Sequence, residues 1–98
     1  MKAALVSPAV IPVRAQHCVV RPQEESYLVY NPRTDELHLL PREAFLVYSL
    51  CDGLNSAGDI ERELCAIGTW PDDGVRQKVY ELLDKFVVRG LLEVQESA

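Results

Sequence analysis

The spacing of the apolar residues changes at Leu40-Pro41, and this change constrains the fold more than any other feature of the sequence. Residues 36–40 alternate polar and apolar side chains, a period of two that is typical of a β-strand with one buried face. Beyond Pro41 the apolar residues are spaced as in helices, and a proline suits the first turn of a helix, where no backbone N–H is needed. The sequence therefore predicts a sheet followed by helices.

Two segments before this change also have the composition of strands. Residues 17–21 and 26–30 are rich in β-branched and aromatic side chains. Polar turns at residues 22–25 and 31–35 separate the segments, and the second turn begins with Asn-Pro, which favours turn initiation. Two hairpins in succession predict a three-stranded antiparallel meander.

Three helices are predicted after the sheet. The first begins at Pro41, is apolar on almost all sides and should be buried, and Gly53 follows it as a stop signal. Ser56 and Asp59 have the spacing of a capping box and begin the second helix, which ends at Gly68. The third helix is the longest and covers about residues 73–89. Its central apolar stripe is predicted to consist of Val75, Val79, Leu82 and Phe86.

The order of these elements predicts an α+β fold, in which a three-stranded antiparallel sheet is followed by a three-helix winged helix-turn-helix bundle with residues 91–94 as a final strand or wing. The 98 residues suffice for one domain, expected at residues 17–94. Residues 1–16 are expected to form a flexible tail because prolines interrupt their apolar run, which also lacks the hydrophobic region of a signal peptide. Residues 95–98 are expected to form a polar C-terminal tail.

Composition and motifs limit the functions that this chain can have. Ten Lys and Arg against fifteen Asp and Glu give a net charge of −5, which opposes attraction to nucleic acid. No apolar run approaches the roughly 20 residues that span a membrane. The three cysteines form no CxxC pair, which favours a reducing, cytoplasmic location. Phosphate-binding loops, catalytic serine motifs and zinc-binding motifs are missing from the sequence, so neither an enzyme nor a metal or cofactor site is predicted.

An ordered series of short motifs resembles the PqqD-like family, the RiPP recognition elements, over about residues 17–93. The series begins with Glu-Leu-His-Leu-Leu at 36–40 and continues with Leu-Cys-Asp-Gly at 50–53, close to the family's Leu-Leu-Asp-Gly. Asp-Ile-Glu-Arg-Glu-Leu at 59–64, Leu82-Leu83 and Gly-Leu-Leu-Glu at 90–93 follow in the same order. Pro41 departs from the pattern, because many members have Leu-Asn at this junction.

The resemblance implies a non-catalytic domain that binds the leader region of a ribosomally made precursor peptide and presents it to a separate modifying enzyme, for example a radical S-adenosylmethionine enzyme. The leader would pair as a fourth strand with the backbone of the third strand, above a groove formed by the last helix. The residues expected to contact it are Glu36, Leu37, His38, Leu39 and Leu40 on the strand and Arg76, Val79, Tyr80, Leu83, Lys85 and Val87 on the helix.

Two alternatives stay open at the level of sequence. A winged helix-turn-helix arrangement also permits a DNA-binding regulator, although the predicted recognition helix begins with Asp72 and Asp73. A homodimer formed through the edge of the sheet is compatible with the same strands and does not exclude peptide binding.

Overall fold

The computed structural model describes residues 6–68 and 70–96 of the chain. This part confirms the predicted α+β fold class, with a three-stranded antiparallel sheet ahead of three helices, and it adds a second, two-stranded sheet. In chain order the elements are β1 (Val10–Arg14), β2 (Val19–Pro22), β3 (Ser26–Asn31), β4 (Glu36–Pro41), α1 (Arg42–Ser49), α2 (Ala57–Ile67), α3 (Asp72–Val88) and β5 (Leu92–Glu96).

The predicted meander is present, with strand order β2-β3-β4 and antiparallel pairing throughout. The turn between β3 and β4 is closed by Asp35, which has a φ of 58°, a left-handed conformation that a short polar side chain tolerates. The hydroxyl of Tyr30 donates a hydrogen bond of 2.7 Å to the carboxylate of Asp35. The turn thereby fixes the register, in which Tyr30 lies opposite Leu37 and Leu28 opposite Leu39.

The predicted flexible tail at residues 1–16 is wrong for its described portion. Val10–Arg14 forms β1, which pairs antiparallel with β5, and Val6 is buried in the core. The opposite side of β1 bonds to the chain after α1, since Gly53 N–H donates to the Pro12 carbonyl. Pro12 is therefore accommodated, because a proline in a strand needs a position where no N–H is required. Residues 1–5 lie outside the described residues.

The C-terminal boundary also needs correction. The strand predicted at residues 91–94 extends from Leu92 to Glu96, because each of its residues has a partner on β1. Of the tail predicted at residues 95–98, Gln95 and Glu96 are thus strand residues, and residues 97–98 lie outside the described residues.

The helical boundaries follow local signals. The capping box of α2 is confirmed: the Ser56 hydroxyl accepts a hydrogen bond of 3.1 Å from the Asp59 N–H, and the Asp59 carboxylate accepts one of 3.0 Å from the Ser56 N–H. Gly68 ends α2 with a φ of 79°. The first helix is shorter than predicted, because it ends at Ser49, four residues before the predicted stop signal at Gly53.

The core lies between the helices and the inner faces of both sheets. Tyr48 of α1 packs edge-on against Phe86 of α3, with ring centroids 5.5 Å apart. The stripe predicted for α3 is corrected at one position, because Leu83 is fully buried whereas Leu82 is half-buried. The buried residues of α3 are Val75, Val79, Leu83 and Phe86.

A buried polar contact joins the end of α3 to the three-stranded sheet. The side-chain amide of Asn31, at the end of β3, donates a hydrogen bond of 2.9 Å to the carbonyl of Arg89. Gly90 makes this close approach possible, since a Cβ atom there would lie 2.8 Å from the Asn31 amide nitrogen, and its φ of 74° also favours glycine. Asn31 lies opposite Glu36, so the C-terminal end of α3 sits at the end of the sheet where β4 begins.

Candidate functional site

Strand β4 forms one edge of the three-stranded sheet. It pairs with β3 along its whole length, and among the described residues no strand pairs with its other side. In an antiparallel sheet the N–H and C=O groups of alternate residues point to opposite sides, so about half of those in β4 face this open side. Such an edge can accept one more strand. The sequence left open whether this strand is a free edge, and the described structure answers that it is.

The outer face of the sheet is apolar beside this edge. The pleat directs Leu37 and Leu39 outward, where their exposed fractions are 63% and 62%. Their partners in register, Tyr30 and Leu28, lie on the same face of β3. The backbone groups predicted to pair with a ligand are therefore flanked by two exposed apolar side chains.

The inner face of β4 is formed by His38 and Leu40, which point towards the core. Leu40 is buried and His38 has only 10% of its side chain exposed. The Nε2 atom of His38 lies 3.5 Å from a carboxylate oxygen of Glu36 and has no hydrogen-bond partner among the described residues. Glu36 is exposed at the first position of the strand. The five residues predicted for the site, Glu36 to Leu40, therefore lie together in β4.

The residues of α3 that were predicted to contact a peptide do not form one continuous exposed surface. Val79 and Leu83 are fully buried, so they contribute to the core and offer no surface to a ligand; the prediction that they contact one is corrected. Tyr80 is half-buried beside α2, where burial is the largest cause that raises its pKa and the neighbouring Glu61 carboxylate raises it further. The Arg76 guanidinium lies 5.7 Å from the centre of the Tyr80 ring.

The flank of α3 that carries Arg76, Tyr80 and Val87 therefore faces α2 and the N-terminal segment. Asp84, near this flank, accepts a hydrogen bond of 3.0 Å from the Val6 N–H. Successive residues of a helix rotate by about 100°, which places Lys85 on the opposite flank together with Lys78 and the half-buried Leu82. Of the predicted helix residues, Lys85 thus lies on a different side from Arg76, Tyr80 and Val87, as the sequence had indicated for Arg76 and Lys85.

Two groups of residues were not predicted from the sequence, one beside the edge and one on α3. Leu28 and Tyr30 extend the apolar outer face, and Leu82 lies on the same flank of α3 as Lys85. Residues 27–30 did carry a signal for the first group, because both phases of their period-two pattern are apolar or aromatic. No comparable signal existed for Leu82, since Leu82 and Leu83 are adjacent and equally apolar.

A separate cleft of about 340 Å³ lies on the β2 side of the sheet. Val20 of β2 lines it together with the end of β1 and the end of α1. Cys18 and Cys51 are also in its lining, and burial raises the pKa of the Cys51 thiol to about 12, so this thiol stays protonated near neutral pH.

No group of three or more His, Cys, Asp or Glu side chains in residues 6–68 and 70–96 is arranged to hold a metal ion. In the same part of the chain no helix is long and apolar enough to cross a membrane.

No family model and no curated protein matches the sequence significantly. The structure, however, is similar to that of TbiB1 in complex with the TbiA(beta) leader peptide. The TM-score is 0.71 at 16% sequence identity, and the match covers 83% of this chain and 94% of TbiB1. The two chains therefore share a fold over most of their length.

Proposed function

We propose that this chain binds the leader region of a ribosomally synthesised precursor peptide at the open edge of β4 and presents it to a modifying enzyme in trans. The observation that carries the proposal is the open edge itself, which combines free backbone groups with exposed apolar side chains. The similarity in fold between this chain and TbiB1, which was solved in complex with a leader peptide, supports this assignment. The residues of the edge fit such a role because proline is confined to the end of the strand, at Pro41.

The backbone of Leu37 to Leu39 supplies the pairing in this proposal, and side-chain contacts supply selectivity. On the inner side, Lys85 and Leu82 form the flank of α3 that remains for contact with the peptide, because Val79 and Leu83 belong to the core and Tyr80 faces α2. Lys85 would pair with an acidic residue of the leader.

Presentation requires only that the peptide be held near the enzyme. Tethering raises the effective concentration of the peptide's modified region at the active site of its partner, and it needs no bond-making group from this chain. The partner proposed by family resemblance is a radical S-adenosylmethionine enzyme or another maturation enzyme.

Isothermal titration of the purified chain with the synthetic leader of a precursor peptide encoded beside it tests the proposal. We expect saturable binding of one peptide per chain and no binding of a scrambled peptide of the same composition. A folded chain that binds none of the leaders encoded nearby would contradict the proposal.

A further inference from the structure

The outer face of the sheet at the β4 edge lacks the protection that open edges usually have. Natural edge strands are commonly guarded by charged side chains or proline. On the outer face of β4 the residues ahead of the final Pro41 are Leu37 and Leu39, which we call the outer leucine pair, and both are more than 60% exposed. The apolar surface continues inward, because Tyr30 and Leu28 lie opposite them on β3.

The geometry of strand addition determines what this surface meets. Residues directly opposite each other in neighbouring strands point to the same face, with Cβ atoms about 4.5–5.5 Å apart. In a peptide strand added to β4, the two residues opposite Leu37 and Leu39 therefore point outward. The residue between them lies opposite His38 and points to the inner face. This holds for either direction of the added strand, since the alternation of faces does not depend on direction.

We propose that the outer leucine pair is a second recognition surface for the same peptide, and that the bound segment carries apolar side chains at both outward positions, i and i+2. This inference rests on the proposed function and specifies the peptide that the chain binds. The side chains on the outward face of the leader strand are recognised as well as those that point to the inner face. A polar side chain at either outward position would gain only the backbone pairing and leave a leucine exposed.

Continuity with the pairing edge is the reason to assign this surface to the peptide. Leu37 and Leu39 belong to the strand whose backbone accepts the ligand, so a peptide in place cannot avoid their side chains. A second copy of the chain added β4 to β4 would cover the same leucines, and it is the competing occupant that the experiment must separate.

On the protein side, the test is the double variant Leu37→Thr, Leu39→Thr. Threonine keeps a high strand propensity, so the edge should stay paired with β3 while its apolar surface is reduced. The matched control is Val19→Thr, at a position that is 48% exposed on the outer face of β2. We expect the affinity for the synthetic leader to fall about tenfold in the double variant and to change by less than about twofold in the control.

On the peptide side, each residue of the bound segment is replaced in turn by serine. The proposal predicts that both alternating sets of positions lose affinity. Loss at the inward set alone, with the wild-type leader still shifting the β4 amides, would overturn the inference and leave the proposed function standing. Absence of leader binding would instead remove the proposed function and this inference with it. Sedimentation of the free chain gives the remaining outcome: a dimer that dissociates in the double variant, with leader affinity unchanged, would overturn the inference in favour of self-pairing.

Discussion

The two edges of the three-stranded sheet have the same backbone and differ in what protects them. At the β2 edge, Arg21 is the outward residue beside Val19. At the β4 edge the outward residues ahead of the final Pro41 are Leu37 and Leu39. Each of the two strands ends in a proline, so the difference between them lies in the outward charge, which is a common protection against unwanted strand pairing and is present on β2 alone. The β4 edge is therefore the better candidate of the two for binding an extended peptide.

The cleft beside β2 is an alternative candidate binding site to the β4 edge. If it opened readily, the β2 side could accept a ligand as well. Cys51 lines the cleft and is fully buried, and burial raises its pKa to about 12, whereas Cys65 is exposed. At pH 8 we expect a thiol reagent to modify Cys51 at least about a thousandfold more slowly than Cys65, because Cys51 must wait for an opening of the structure. Mass spectrometry of timed samples measures both rates; comparable rates would show that the β2 side opens.

Backbone pairing at the β4 edge predicts the next largest effect. Methylation of single backbone nitrogens of the leader removes one donor at a time and leaves the side chains unchanged. A residue whose N–H faces β4 should lose about tenfold or more in affinity, because a β4 carbonyl is left unpaired, and the next residue should lose little. Isothermal titration of the methylated series should give this alternation. A uniform response along the peptide would argue against strand addition.

The two flanks of α3 provide a matched pair of charge reversals. Lys85→Glu changes the flank proposed to meet the peptide, and Arg76→Glu changes the flank that faces α2. For a leader with acidic residues we expect about a fivefold loss of affinity in the first variant and less than about twofold in the second. Repeating the titrations at high salt should shrink the difference, since exposed charges are screened. Equal losses in the two variants would contradict the assignment of the flanks.

Substitution of Arg21, the charged outward residue of β2, should have the smallest effect. Arg21→Leu makes the row formed with Leu28 and Leu39 apolar across the whole outer face. We expect weak, concentration-dependent association of the variant and unchanged affinity for the leader, because the β4 edge is unaffected. Sedimentation velocity at several concentrations measures the association. A monomeric variant at all concentrations would show that Arg21 is not a guard.

Much of this fold was predictable from local sequence. The alternation at residues 36–40 and the capping box of Ser56 and Asp59 each correspond to a feature of the structure, because the information for a strand face or a helix start is contained within a few residues. Strand β1 was missed because its partner β5 lies about 80 residues away in the sequence, and no local pattern reports such pairing. Pro8 and Pro12 also resemble loop residues until the pairing of their neighbours is known.

The candidate site also has one part that local sequence predicts and another part that it does not. Its strand half is a property of one period-two segment, so the sequence places Leu37 to Leu39 together. Its helix half depends on how α3 is rotated against the neighbouring elements. Leu82 and Leu83 are separated by one helical step of about 100°, and this step decides which of the two side chains is buried. The family resemblance assigned Val79 and Leu83 to a ligand, whereas both are buried in the core of the described structure.

The binding site that we propose for the peptide is the β4 edge and not the β2 edge. The most direct test is an amide-resolved NMR titration of the labelled chain with the leader peptide. We predict saturable shifts at residues 36–40 and along the Lys78, Leu82 and Lys85 flank of α3, with little change at residues 19–21 or around Cys51. Shifts concentrated at β2 and the cleft, with β4 unaffected, would contradict binding at β4.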